Sequence, residues 1–178
     1  MITFESNASE VFADLMAVLQ GIPSVLGREQ RNFQIAIGWG LTEQFDALSM
    51  GQAVPSGTGL VAWDAISPLT EFIRHTRWGV PADNPILVVT GALRTGLGDG
   101  VTYVNDYGKQ SSMTYFPSVT QADRIAMHEE GFEVISPISG GHHAPARPMM
   151  FWNDELAGEM SRILERGIDN LGHSRGFR

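Results

Sequence analysis

The chain has 178 residues, 43% hydrophobic and 18% charged, the balance of a folded domain rather than a disordered one. Twelve basic against twenty acidic residues leave a net charge of −8, which argues against a general nucleic-acid coat, because phosphate binding needs a basic surface. Cysteine is absent, so disulfides and thiolate metal sites are excluded. The opening residues lack the basic start and apolar run of a signal peptide, and no apolar stretch approaches the ~20 residues that span a bilayer. A soluble chain made in the cytoplasm is expected, folded as one domain over residues 1–178.

Ser6 to Glu10 can cap a first helix whose face carries Val11, Phe12, Leu15, Val18 and Leu19, and Gly21 and Pro23 are expected to end it. From Gly27 to Met50 the pattern has two readings. Phe33, Ile35 and Ile37 alternate like a strand, whereas Phe33, Ile37, Leu41, Phe45 and Leu48 repeat at helical spacing. Length decides for a second, long helix, against a cost of about 1 kcal/mol for each of Gly38 and Gly40. Gly51 to Leu60 reads as a flexible loop. Ser67 then caps, and Pro68 opens, a short helix through Phe72, Ile73 and Arg77 that ends near Gly79 to Pro81.

Asn84 to Arg94 reads as a turn, an apolar run and a second turn. Gly96 to Gly100 resembles a phosphate-binding loop but lacks the G-K-[ST] ending and a following helix pattern, so a hairpin or arm turn is expected. Val101, Tyr103 and Val104, a turn from Asn105 to Gln110, then Met113 and Tyr115 predict a hairpin with Thr114 and Phe116 on its other face. Thr120 and Asp123 open a helix of about two turns that Gly131 stops. Phe132, Val134 and Ile135 form a strand ending at Pro137, and Gly140 to Ala146 is read as loop. Asn153 or Asp154 caps a last helix striped by Leu156, Met160, Ile163, Leu164, Gly167 and Leu171. The fold class is therefore α+β: a helical part at about 6–50, an antiparallel sheet within about 61–152, and a closing helix at about 153–171.

His128, Glu129, His142 and His143 are the sharpest candidates for chemistry, as metal ligands. Their spacing is poor, since nothing matches H-E-x-x-H and adjacent histidines point in different directions. The plainer reading has His128 packing a helix end and the other two in an exposed glycine-rich loop. No G-x-S-x-G elbow is present, and Ser67 is explained by capping. Arg147 is distinctive because Pro145 and Pro148 stiffen the chain around it. A guanidinium held in that way suits a carboxylate partner, either within the chain or on another subunit.

Four pieces stand in order along the chain: Trp63-x-x-Ile66-Ser67-Pro68-x-Thr70, Pro85-Ile86-Leu87-x-x-Thr90-Gly91-x-Leu93-Arg94, Ala126-x-His128-Glu129-x-Gly131, and Pro145-Ala146-Arg147-Pro148. Together they resemble the phage virion-morphogenesis family of tail-completion and neck proteins, over about Ala62 to Leu171. The resemblance implies a small α+β subunit, an antiparallel sheet flanked by helices, that assembles as a ring, commonly sixfold, at the head–tail junction. It implies no enzyme, cofactor or metal. Expected partners are further copies of the chain and neighbouring tail-tube, tail-terminator or head-connector proteins. No membrane and no sequence-specific nucleic acid are expected, with DNA passing through the ring. Candidate subunit or partner contacts are Trp63, Arg94, Tyr107, His128, Glu129 and Arg147. The hairpin around Asn105 to Ser112 is either an arm to the next subunit or an ordinary surface turn. Two other readings remain: a small metal-dependent hydrolase centred on His128 and His142, and an assembly chaperone absent from the finished particle.

Overall fold

The computed structural model describes residues 8–81, 84–88, 90–106, 111–136 and 140–174. Its spine is α1 (Ala8–Ser49), a 42-residue helix, about 60 Å long at 1.5 Å per residue. Against expectation, α1 does not break at Gly21 and Pro23. A helix is held mainly by the burial of its face, and α1 packs along α5 (Asp154–Ser174) through and beyond the proline. At that point Ser24 Oγ donates to Gly21 O at 2.6 Å. A Cβ on Gly21 would come within 2.6 Å of Leu171 Cδ2, so the glycine read as a stop is where α5 makes its close approach. The two helices run antiparallel: Gly21 meets Leu171, Gly167 meets Val25, and Gly40 meets Leu156.

Gly38 is the same kind of site. A Cβ there would lie 2.5 Å from Gly98 O, on the short helix α3 (Ala92–Gly98) packed across α1. The segment expected to be a hairpin turn at Gly96 to Gly100 thus lies largely within α3, where the contact with α1 and with α4 (Val119–Glu130) outweighs glycine's poor helix propensity. The core joins these elements, with Ile37, Leu41, Phe45 and Leu48 of α1 meeting Trp63, Leu97, Ile125, Met149 and Leu156.

Among the described residues the strands form three separate two-stranded antiparallel ribbons rather than one sheet. β1 (Val54–Ser56) pairs with β2 (Gly59–Val61) in the stretch expected to be loop. β3 (Val101–Asp106) pairs with β4 (Ser111–Phe116), and β5 (Phe132–Ser136) pairs with β6 (Gly140–Ala144). Each strand pairs only with its sequence neighbour, and helices separate the ribbons in the chain. β6 is Gly-Gly-His-His-Ala, which has no apolar alternation, so the strand comes from backbone pairing with β5 alone.

The β3–β4 ribbon forms as expected, with Met113 and Tyr115 half-buried and Thr114 and Phe116 exposed, but on β3 it is Thr102 that is buried, while Val101 and Tyr103 are exposed. Gln30 Nε2 donates to Thr102 O at 2.5 Å and Thr102 Oγ1 donates to Gln30 O at 3.3 Å, which stitches β3 to α1. The helix after Ser67 matches its expectation: Ser67 Oγ accepts from Thr70 N at 3.2 Å, and α2 (Pro68–Trp78) ends at a left-handed Gly79. α4 is longer than two turns and starts one residue before Thr120, with Ser118 at its N-cap position. The closing helix begins as expected, with Asn153 Oδ1 accepting from Leu156 N at 2.8 Å. The architecture is α+β, with five helices among the described residues.

Candidate functional site

Four of the six residues singled out in the sequence meet in one corner. His128 and Glu129 occupy the last turn of α4, which Gly131 closes. Gly131 has φ 77°, and a Cβ there would lie 2.8 Å from Ala144 O, so both backbone and space call for glycine. The chain then returns through Pro145 to Pro148, extended and stiff, alongside the helix end it left. Arg147 N donates to His128 O at 2.6 Å, taking up a carbonyl that a helix C-terminus leaves unbonded. Met149 N and Met150 N both donate to Glu129 Oε1, each at 2.7 Å.

Trp63 closes the corner from the other side. Its indole Nε1 donates to Pro148 O at 2.9 Å, and its ring meets Phe45 edge to face at 5.4 Å. Arg147 Nη2 reaches Asp64 O at 3.4 Å. The Arg147 residue is only 8% exposed, and among the described residues no carboxylate lies within 4.0 Å of it. Its intrachain partner is a main-chain carbonyl rather than a carboxylate.

Burial raises the Glu129 carboxyl above its ordinary range, and the N–H groups of Met149 and Met150 oppose that rise. Burial, and then the Arg147 cation, lower the His128 imidazole below its ordinary 6.5. The ring lies edge-on to Phe132 at 5.3 Å. A guanidinium beside the imidazole disfavours a second cation there, and among the described residues no three His, Asp or Glu side chains converge as a metal site would require. His143 is exposed and pairs through Nδ1 with Glu133 Oε1 at 3.2 Å. In the corner Glu129 and Arg147 Nη2 are thus bonded to backbone groups, while His128 Nδ1 and Arg147 Nε are buried without a hydrogen-bond partner among the described residues.

These shifts give a pH test. The folded imidazole holds its proton less tightly than the unfolded chain's, so its contribution is complete above pH 6.5 and is lost as pH falls from there through the lowered folded value. Glu129 acts oppositely: its contribution is present below about 4.5 and lost as pH rises through its raised folded value. Between pH 4.5 and 6.5 the two slopes oppose. In His128→Gln only the carboxylate slope remains, so denaturant midpoints should fall less from pH 6.5 to 4.5 than in the unaltered protein. Parallel curves would remove the imidazole from the account.

The other two candidates stand apart. Arg94, on α3, forms a two-pronged pair with Asp46, Nε to Oδ1 and Nη2 to Oδ2, both at 2.7 Å. The pair is exposed and contributes under about 1 kcal/mol. Tyr107 and the tip of its hairpin lie outside the described residues. Sequence reasoning missed the partners that make the corner: Phe45 behind Trp63, and the N–H groups of Met149 and Met150. Only the two prolines bracketing Arg147 signalled them, by holding the chain extended with its N–H groups free to bond sideways.

Away from the corner, α2 is the unusual element. It is amphipathic, yet Leu69, Phe72 and Ile73 are exposed on one stripe, and among the described residues no helix or strand packs extensively against it. Its buried anchor is Arg74, whose Nη2 donates to Pro85 O at 3.0 Å. Among the described residues no helix is long and apolar enough to cross a membrane. Comparison with family models, with characterised proteins and with solved structures finds no match.

Proposed function

We propose that this chain is a structural subunit of a phage neck or tail end, which works by assembling into a ring and docking onto neighbouring virion proteins. No step of that work is catalytic. The carrying observation is α2, an amphipathic helix whose apolar stripe is left uncovered by the described residues. Contiguous apolar surface on a folded chain marks a site of association. Ribbons of only two strands add open edges, which a neighbouring copy can cover.

The placement in a phage particle rests on the four ordered motifs. Three of them, carrying Trp63, His128 with Glu129, and Arg147 with Pro148, are bonded to one another in the corner. Residues 85 positions apart that join a single hydrogen-bonded unit are what a shared fold would preserve as a set. In this reading the corner supports the subunit and the contacts lie elsewhere on its surface.

Mass spectrometry of purified virions tests the placement. The chain should be found in the particle at a fixed stoichiometry to the tail proteins. A chain required for infectious particles yet absent from them would instead be an assembly chaperone.

A further inference from the structure

The surface holds an acceptor for the α2 stripe. Between α1, β4 and the segment before α5 runs a cleft of about 290 Å³, lined by Ile37, Leu41, Met113, Met150, Phe151 and Trp152. Trp152 stands 57% exposed at its edge. A second cleft of about 180 Å³ adjoins it, and Leu156 lines both. This one is polar at its rim, with Glu43, Glu155 and Glu159 around an exposed Trp39. Among the described residues Glu43 and Glu155 have no ion-pair partner, and Glu159 pairs with Arg162. Gln44 in its wall is 3% exposed with neither amide atom bonded.

α2 carries the complementary pattern. Leu69, Phe72 and Ile73 form the apolar stripe, with Phe72 63% exposed. One turn beyond Ile73, on the same side, is Arg77, exposed and without an ion-pair partner among the described residues. Apolar stripe then cation on the helix matches apolar cleft then acidic cleft on the body. A cation seated over Trp39 between carboxylates gains from both the ring face and the charges.

The geometry points to α2 of one copy seated in these two clefts of the next copy, with Phe72 entering the apolar cleft and Arg77 the acidic one. This contact rests on the ring reading above. It joins two different surfaces, and a head-to-tail contact of that kind generates a ring when its rotation closes.

Two variants in exposed positions test it, Phe72→Asp on the helix and Trp152→Asp at the cleft, with circular dichroism confirming that each is folded. Each alone should be monomeric by light scattering. Mixed, they should form a dimer and nothing larger, because one intact helix then meets one intact cleft and both remaining surfaces are spoiled. Arg77→Glu should weaken assembly at least tenfold, and Glu43→Arg added to it should restore most of the loss. An unaltered chain that never assembles would overturn the ring reading and this contact together. Folded Phe72→Asp that assembles normally would overturn this contact alone. A dimer formed by Trp152→Asp without mixing would mean that α2 pairs with α2, and would overturn it too.

Discussion

Phe45→Ala is expected to lower the unfolding free energy by about 3–5 kcal/mol, the range for deleting a buried aromatic side chain. At roughly 2–4 °C per kcal/mol for a chain of this size, the Tm should drop by about 6–20 °C. Phe45 is fully buried at the middle of the core, and its ring is met edge-on by Trp63 at 5.4 Å. Truncation therefore removes buried apolar area and the aromatic pair, and leaves a cavity beneath the indole that holds Pro148 O. Phe45→Leu keeps most of the volume and should cost about half as much. A thermal melt of both variants checks this, and a loss below about 1 kcal/mol for Phe45→Ala would mean that Trp63 and the corner are not built on α1.

Glu129→Ala is expected to cost about 2–4 kcal/mol, although it removes no large apolar surface. One carboxylate oxygen accepts from two consecutive main-chain N–H groups, and a hydrogen bond to a charged group contributes about 1.5–3 kcal/mol. Removal orphans both donors, of which Met149 N belongs to a fully buried residue. The gain from exposing less buried charge offsets part of the loss, because burial already opposes the ionised form of Glu129. Glu129→Gln keeps an acceptor without the charge and should fall between the two. Chemical denaturation at pH 7 measures all three, and an alanine variant as stable as the glutamine variant would show that the two N–H bonds contribute nothing.

Local rules read some of this molecule well. Ser67 and Pro68 marked the start of α2, Asn153 marked the start of α5, and the alternation around Met113 and Tyr115 gave the hairpin. The failures share a cause. Gly21, Pro23 and Gly96 each looked like breaks, and Gly38 looked like a cost to its helix, because propensity is a property of the isolated chain. In the fold, α1 continues through Gly21 and Pro23, while Gly21, Gly38 and Gly96 are places where another element comes too close for a Cβ. β6 was missed for the opposite reason: Gly140 to Ala144 carries no signal of its own and becomes a strand only beside β5.

The site divides in the same way. Stiffness at Arg147 was legible from its two prolines, but its bonding partners are the carbonyls of His128 and Asp64, which no side-chain pattern announces. The pull of adjacent histidines toward a metal reading came from residue type alone. The Arg147 cation beside His128 disfavours a metal ion at that side chain. The helix α2 was legible from Ser67 and Pro68, but not that its stripe is exposed. That no element packs extensively on it emerged only from the packing of the described residues.

The proposed function requires a ring of identical copies. Native mass spectrometry at micromolar concentration addresses it most directly. A closed ring of six 19.4 kDa subunits has a mass of about 116 kDa, and that species should dominate and persist on dilution. A single species at 19.4 kDa across the same concentrations would contradict the account.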